Sequence, residues 1–411
     1  MKRIIVISAL KNLNDNNYAS LNRLMCYAKS LLGYSDEIEI YFTTFHSTSE
    51  NFTESKTVKN LFISDVVESS ESLIENYIFR HFHFLDNLKY LRKILVKLDS
   101  KKKNETTYFL YPANLALELV SLIYLQFIKS RRVIVEKNEL QIGMINNFSL
   151  PTRFIHKVAH IIILPLLFAI SLIQDLITIF YSGVIAISTR IDKFFSIFSS
   201  SVTLIPVLVD SSRFNFKRPE NSDGIFRFCF AGNVTEKKDS ILTIIEALNH
   251  LTSKNWEFNI YGPVNKSMQQ RIKMLAQFYN FSDKIKLHQP LSGDLVPQTL
   301  TSNDLLLAPR QKNLQTNYGF STKIGEYLAS GTPLLATDVS DNKLYIEDSK
   351  NGFLIKNMTV LGLASKIEEI MSKGNLKEIG AKGKEVAVSK LDYSLFGEKL
   401  YYFIFNRELR G

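Results

Sequence analysis

The stretch 317–337, NYGFSTKIGEYLASGTPLLAT, gathers the residues best able to do chemistry in this chain. A turn containing Gly319 leads into Ser321 and Thr322, both favourable helix N-cap residues. A helix is predicted from Lys323 to Ser330, broken by Gly331 and Pro333, and the apolar run Leu334 to Ala336 then predicts a buried parallel strand. The first-turn N–H groups and the positive dipole end of such a helix suit an anion. Lys323 and Glu326 are three apart and share one helix face. A cation and a carboxylate placed so would hold a diphosphate and a sugar hydroxyl, the two halves of a sugar nucleotide. The plainer alternative is a helix–strand unit with a surface Lys–Glu pair.

Three other constellations sit where strands end. FCFAGNVTEKKDSILTIIEAL, residues 228–248, reads as a strand, a turn at Gly232, a basic loop with Lys237 and Lys238, and a helix. Ile260-Tyr261-Gly262-Pro263 ends a second strand, where Gly262 lets backbone approach a ligand. VIVEKNEL, residues 133–140, puts Glu136 and Glu139 at the end of a third, where either carboxylate would orient an acceptor hydroxyl or simply sit at a helix start. No Asp-x-Asp and no Cys or His cluster predicts a metal site. The i,i+2 pair His81 and His83, and the i,i+4 pair His156 and His160, read as structural. A P-loop, a nucleophile elbow and a Gly-x-Gly-x-x-Gly are all missing from the sequence, which sets aside kinases, serine hydrolases and common dehydrogenases.

The 317–337 segment resembles the donor-binding signature of family 4 glycosyltransferases, in which two Glu stand eight positions apart before a Tyr-Leu-Ala-like helix end and Gly-x-Pro. Glu326, Tyr327, Leu328, Ala329, Gly331 and Pro333 match its second half, while Tyr318 stands where the first Glu belongs. The turn after Gly232 is similar to the family's first donor-domain turn, with Asn233 at its Arg position, Lys238 at its Lys position and Asp239 in place of its second glycine. One cation of the usual pair is thus missing or supplied from elsewhere.

The resemblance implies the GT-B fold: α/β, two Rossmann-like domains facing a central cleft, with a C-terminal helix crossing back to the N-terminal domain. The domains would be 1–208 with 393–411 for the acceptor, and 209–392 for the nucleotide-sugar donor. It implies a retaining, metal-independent hexosyl transfer from a nucleotide sugar, without a cofactor, to a glycan or lipid-linked glycan of surface polysaccharide or lipopolysaccharide. Lys238, Glu326 and Glu139 would carry the catalysis, with Glu136 on the acceptor side. Gly232, Asn233, Tyr261, Gly262, Tyr318, Gly319, Phe320, Ser321, Thr322 and Lys323 would bind the donor. A sugar-nucleotide epimerase and a noncatalytic nucleotide-sugar-binding or partner protein are the rival readings.

The elements that must position these residues alternate strand and helix patterns, as parallel α/β layers do. Strands are predicted at Lys2–Ser8, Glu37–Thr43, Tyr108–Tyr111, Val133–Glu136, Gly183–Ser188 and Val202–Pro206. The pattern restarts with Phe226–Ala231, Trp256–Tyr261, Ile285–His288 and Asp304–Ala308, and closes on an aromatic helix, Ser394–Asn406. A length of 411 residues with 45% apolar content fits two domains with ample cores. Two cysteines far apart, Cys26 and Cys229, predict small apolar packing residues and a reducing cytosol. The N-terminal apolar run, Ile4 to Ile7, is too short for a signal peptide.

A net charge of +10 favours polyanions or a lysine-rich surface, and no module for nucleic acid is visible. Lys89, Arg92, Lys93 and Lys97 form one stripe of a predicted helix, Leu91, Ile94, Leu95 and Leu98 another, and Lys101 to Lys103 follow. That pattern suits either an anionic lipid surface or a packed helix with a solvated face. Ile161 to Ile173 is apolar, contains Pro165 and follows Arg153 and Lys157. Its length favours a buried helix or an interfacial insertion over the roughly 20 residues of a span. The expected location is cytoplasmic, peripheral on the inner face of the cell membrane.

Overall fold

The computed structural model describes residues 1–8, 18–44, 52–55, 58–64, 84–99, 105–111, 114–144, 154–199, 201–219, 223–356 and 358–405. The chain divides into two compact units: Met1–Pro206 with Tyr393–Gly411, and Val207–Asp392. The expected features at Lys101 to Lys103, at His81 and His83, and at Arg153 lie outside the described residues.

The first unit carries strands β1 (Lys2–Ser8), β2 (Ile38–Thr44), β3 (Phe52–Glu54), β4 (Leu61–Ser64), β5 (Thr106–Tyr111), β6 (Arg132–Lys137), β7 (Gly183–Ala186) and β8 (Val202–Leu204). They lie in the order β3-β4-β2-β1-β5-β6-β7-β8, parallel throughout except for the β3–β4 edge pair. Ile4, Ile5, Val6 and Ile7 of β1 are all buried, which is why this strand reads as one apolar run with no alternation: helices cover both of its faces. The short strands β3 and β4, of three and four residues, were not predicted.

A helix begins at Leu115, with Asn114 Oδ1 accepting the Leu117 N–H at 2.9 Å. It widens over Ser121–Ile128, where the Lys129 N–H reaches back five residues to the Tyr124 carbonyl. The closing helix Gly397–Ile404 belongs to this unit and packs on helix Tyr18–Tyr34, with the Tyr34 and Tyr401 rings 5.3 Å apart. The Lys2 ammonium bonds the Tyr401 hydroxyl at 2.9 Å and lies 4.5 Å from the Phe405 ring centroid.

The second unit carries β9 (Phe226–Ala231), β10 (Trp256–Tyr261), β11 (Ile285–His288), β12 (Leu305–Ala308), β13 (Leu334–Thr337) and β14 (Phe353–Ile355), all parallel, in the order β11-β10-β9-β12-β13-β14. Counted within the unit this is the doubly wound order of dinucleotide-binding sheets. The winding reverses between β9 and β12, and such sheets bind ligands at the carboxyl ends of the strands flanking that point. Phe228, Phe230, Phe258 and Phe353 are fully buried, and Trp256 packs edge-on against Phe281 at 4.8 Å. Each such side chain contributes roughly 2–3 kcal/mol of burial. Cys26 and Cys229 are both buried, one in each unit, and form no disulfide.

Helix Phe84–Leu98 packs with Leu91, Ile94 and Leu98 inward and exposes Lys89, Arg92, Lys93 and Lys97. The apolar segment lies within helix Phe154–Ile177, which runs through Pro165. Among the described residues no helix is long and apolar enough to cross a membrane.

Candidate functional site

The carboxyl ends of β9 and β10 are brought together by glycine. Gly232 (φ 145°) donates its N–H to the Tyr261 carbonyl at 2.8 Å, and Gly262 (φ 143°) abuts the Gly232 carbonyl. Both φ values lie where L side chains are strained. An ideal Cβ on Gly232 would also lie 2.3 Å from Lys323 Cε, so this glycine leaves the room in which the lysine side chain lies. Tyr327 fastens the signature helix to the same edge, its hydroxyl accepting the Ala231 N–H at 2.9 Å. A tyrosine follows Glu326 because it reaches across to the end of β9.

The signature helix runs Thr322–Ala329 with Ser321 at its N-cap, whose side chain makes no capping bond. The turn predicted before it is instead the end of a short helix, Leu314–Tyr318, held by reciprocal side-chain bonds between Asn313 and Thr316. Tyr318, at the first-Glu position, closes that short helix and is half-buried. Gly319 is its C-cap. Phe320 is buried and stacked on Tyr345, ring centroids 5.3 Å apart. Glu326 is 8% exposed on the helix that carries Lys323.

Lys323 is largely covered, its side chain 14% exposed. Its ammonium lies 4.1 Å from the Phe230 ring centroid and bonds Asp239 Oδ1 at 2.7 Å. Burial pushes its pKa down to about 8; Asp239 pulls it up and Arg310 pushes it further down. Arg310, two residues past β12, approaches the same Asp239 oxygen through Nε at 3.7 Å. Burial raises the Asp239 carboxyl, but Lys323 and then Arg310 outweigh it and hold the group below the ordinary carboxylate range.

Arg310 was not among the predicted site residues. Asn233, at the family's Arg position, is exposed and brings no charge; the second cation arrives from β12. The position of Arg310 just beyond a strand's carboxyl end was the available signal. The basic loop expected here contains a single helical turn, Glu236–Asp239, that includes Lys238. Ser240, next to the position of the family's second glycine, takes the left-handed conformation (φ 55°) that suits glycine. Glu236 caps the next helix, Ile241–Asn249, accepting the Leu242 N–H at 2.6 Å and the Thr243 hydroxyl at 3.0 Å.

Tyr261 stacks on His288 at 4.3 Å, and burial pushes its phenol up to about 12. In the first unit, Glu136 is no accessible acceptor group. Its carboxylate is fully buried and ion-paired with Arg23, which also bonds the Tyr27 hydroxyl at 2.7 Å and the Pro206 carbonyl at 2.6 Å. The strand-end position that made Glu136 attractive is used to tie β6 to helix Tyr18–Tyr34. Glu139, three residues on, is half-buried.

Residues 211–386 match the family glycosyl transferases group 1. The group 1 segment contains Gly232, Asp239, Arg310 and Lys323, the residues that converge in the geometry above, and Glu326 on the helix that carries Lys323. No curated protein matches the chain in sequence. Among solved structures, sucrose-phosphate synthase from Thermosynechococcus elongatus aligns with a TM-score of 0.73 at 14% identity, over 99% of this chain and 100% of that one. The Anabaena protein HepE in complex with UDP-glucose aligns with a TM-score of 0.66 at 14% identity, covering 98% of each chain. WaaG, a glycosyltransferase involved in lipopolysaccharide biosynthesis, aligns at 0.62 and 13% identity over 97% of this chain and 99% of its own. The fold is GT-B.

Proposed function

We propose that this protein is a retaining glycosyltransferase that moves a hexosyl group from a nucleotide sugar to a glycan or lipid-linked glycan acceptor. The observation that carries the reading is the meeting of Lys323 and Arg310 at the switch point of the second sheet, inside the group 1 segment. A departing nucleoside diphosphate gathers negative charge, and preorganised cations stabilise it in the transition state. Lys323 and Arg310 take the diphosphate, with Lys238 beside them. Glu326 accepts the ribose hydroxyls. The backbone of Gly232, Gly262 and residues 319–322 lines the nucleotide and sugar, with Asn233, Tyr261 and Tyr318 at its edge.

Retention is the stereochemical course that needs no base opposite the leaving group. On a front-face route the bond from the anomeric carbon to the phosphate oxygen breaks, the bond from that carbon to the acceptor oxygen forms on the same face, and the departing phosphate oxygen takes the acceptor hydroxyl's proton. The chemistry assigned to the protein's own cations calls for neither a metal nor a cofactor. The acceptor is assigned to the first unit, with Glu139 as the carboxylate that orients its hydroxyl. Surface polysaccharide or lipopolysaccharide assembly is the setting that such an acceptor suggests, and the neighbour that works in lipopolysaccharide biosynthesis points the same way.

The protein is placed in the cytoplasm, peripheral on the inner face of the membrane. Supporting this, helix Phe154–Ile177 buries Leu167, Ile170 and Gln174 while exposing Leu166, Phe168, Ile173 and Leu176. Exposed Phe180 and Phe127 continue that row, joined by a bond from Gln126 Nε2 to the Phe180 carbonyl at 2.6 Å. Lys129 and Arg92 both lie over the neighbouring Tyr124 ring. Apolar knobs beside cations suit an anionic bilayer.

A thermal-shift panel of UDP-, GDP-, ADP- and CMP-sugars tests the donor reading, because a ligand that binds only the folded state raises the melting temperature. One nucleotide class should raise Tm, and Glu326→Ala should lose the shift while keeping its fold. Stabilisation by none of the four, with or without a glycan acceptor, would sink the reading.

A further inference from the structure

The two cations of the donor site are already met by an anion of the protein's own. Asp239 is 3% exposed, and both of its oxygens are engaged. Oδ1 accepts from the Lys323 ammonium at 2.7 Å with the Arg310 guanidinium 3.7 Å away, and Oδ2 accepts from the Thr235 hydroxyl at 2.9 Å. Three separate segments therefore converge on one carboxylate: the turn after β9, the end of β12 and the start of the signature helix. Ser240 makes this possible. Its left-handed conformation (φ 55°) ends the turn Glu236–Asp239 and restarts the chain as helix Ile241–Asn249.

We propose that Asp239 is the positioning residue of this cation pair, a built-in counter-anion that holds the Lys323 ammonium and the Arg310 guanidinium on one point so that a nucleoside diphosphate meets them preassembled. The inference rests on the donor-site reading and adds to it a residue that reaches the substrate only through others. Without the carboxylate, two like charges in a buried corner repel each other. The softer of the two, an ammonium able to lose its proton, gives way. The charged groups acting on Lys323 are Asp239, Arg310 and Lys238; the two cations lower its proton affinity and Asp239 alone raises it. Asp239 thus keeps Lys323 charged as well as in place.

The sign follows directly. A diphosphate needs the protonated lysine, so affinity is full below the Lys323 midpoint and falls above it. Removing Asp239 lowers that midpoint.

The test uses the full chain labelled with 13Cε-lysine, the Lys323 resonance being assigned by its loss in Lys323→Arg. Its midpoint should lie near 8 in the wild type, and about one pH unit or more lower in Asp239→Asn. UDP is the binding probe. Its dissociation constant should rise about tenfold per pH unit above each protein's own midpoint, and Lys323→Arg should show no such limb. An unmoved Lys323 midpoint in Asp239→Asn, or a UDP affinity lowered equally at every pH, overturns the proposal. Should Asp239→Asn not fold, Arg310→Gln carries the test. It leaves Asp239 to Lys323 alone and should raise the midpoint, and a midpoint unmoved there overturns it equally. Failure of the wild type to bind any nucleoside diphosphate would remove the donor reading, while the lysine titration still decides what Asp239 does.

Discussion

A side chain on Gly262 would begin where the carbonyl of Gly232 already lies: an ideal Cβ there sits 1.9 Å from that oxygen. The two residues end adjacent parallel strands, and their contact sets how closely β9 and β10 finish. Backbone cannot yield as a flexible side chain does, and the φ of 143° adds strain to any replacement. Gly262→Ala should therefore cost about 2–4 kcal/mol, read as a lower urea midpoint at unchanged slope. Nucleotide binding should weaken with it.

The ion pair of Arg23 and Glu136 predicts a stability effect with no separate acceptor role. Both side chains are almost wholly buried. Removing one partner leaves an uncompensated charge, at a cost of about 3–5 kcal/mol. Glu136→Ala should lower Tm sharply. Replacing both residues by apolar ones should recover much of the loss. Recovery of Tm with acceptor KM still raised would restore Glu136 to the acceptor site.

Arg310 is the second cation beside Asp239, and the proposed donor reading gives it a share in binding the diphosphate. Arg310→Ala should weaken UDP-sugar binding about tenfold to a hundredfold by calorimetry, roughly 1.4–2.7 kcal/mol. Asn233→Ala, at the position where the resembled family has its Arg, should change affinity less than threefold.

Asp239 also predicts an acid limb of stability. Its carboxyl is held below the ordinary range, so the stabilisation is present above the unfolded-state pKa and is lost as pH falls through the folded one. The Tm gap between wild type and Asp239→Asn should be open at pH 5 to 7 and should close as the pH is taken below the ordinary carboxylate range. A gap unchanged at low pH would mean that the carboxylate's charge is not what stabilises.

The exposed apolar row gives a surface test. Phe168→Ser with Leu176→Ser should abolish co-sedimentation with phosphatidylglycerol vesicles and leave Tm within about a degree, since exposed substitutions shift stability little. Equal vesicle binding by the double variant would refute the membrane face.

Strands of the second unit's sheet were readable as short apolar runs closed by glycine or proline: Gly232 follows β9, Gly262 follows β10 and Pro290 follows β11. Phe226–Ala231, Trp256–Tyr261 and Ile285–His288 appear with the predicted boundaries. Short elements that depend on neighbours were not readable. Helix Leu314–Tyr318 is a single polar turn whose only local mark was the spacing of Asn313 and Thr316. The site was half legible: Lys323 and Glu326 sit on a recognisable helix, but Arg310 looks like an ordinary loop arginine. Its partner Asp239 is 71 residues earlier in the chain (310 − 239). The burial of Glu136 was hidden for the same reason, since nothing in VIVEKNEL signals an arginine waiting on the first helix.

The attachment of the last helix to the first strand has a bearing on how the chain is made. Lys2 is bonded to Tyr401, so the first unit is closed by residues the ribosome delivers after the whole of Val207–Asp392. Domains commonly complete in the order of synthesis. Here the uninterrupted second unit can finish while the first still lacks its clasp, so the second unit is expected to reach its native state earlier on the ribosome than the part translated before it.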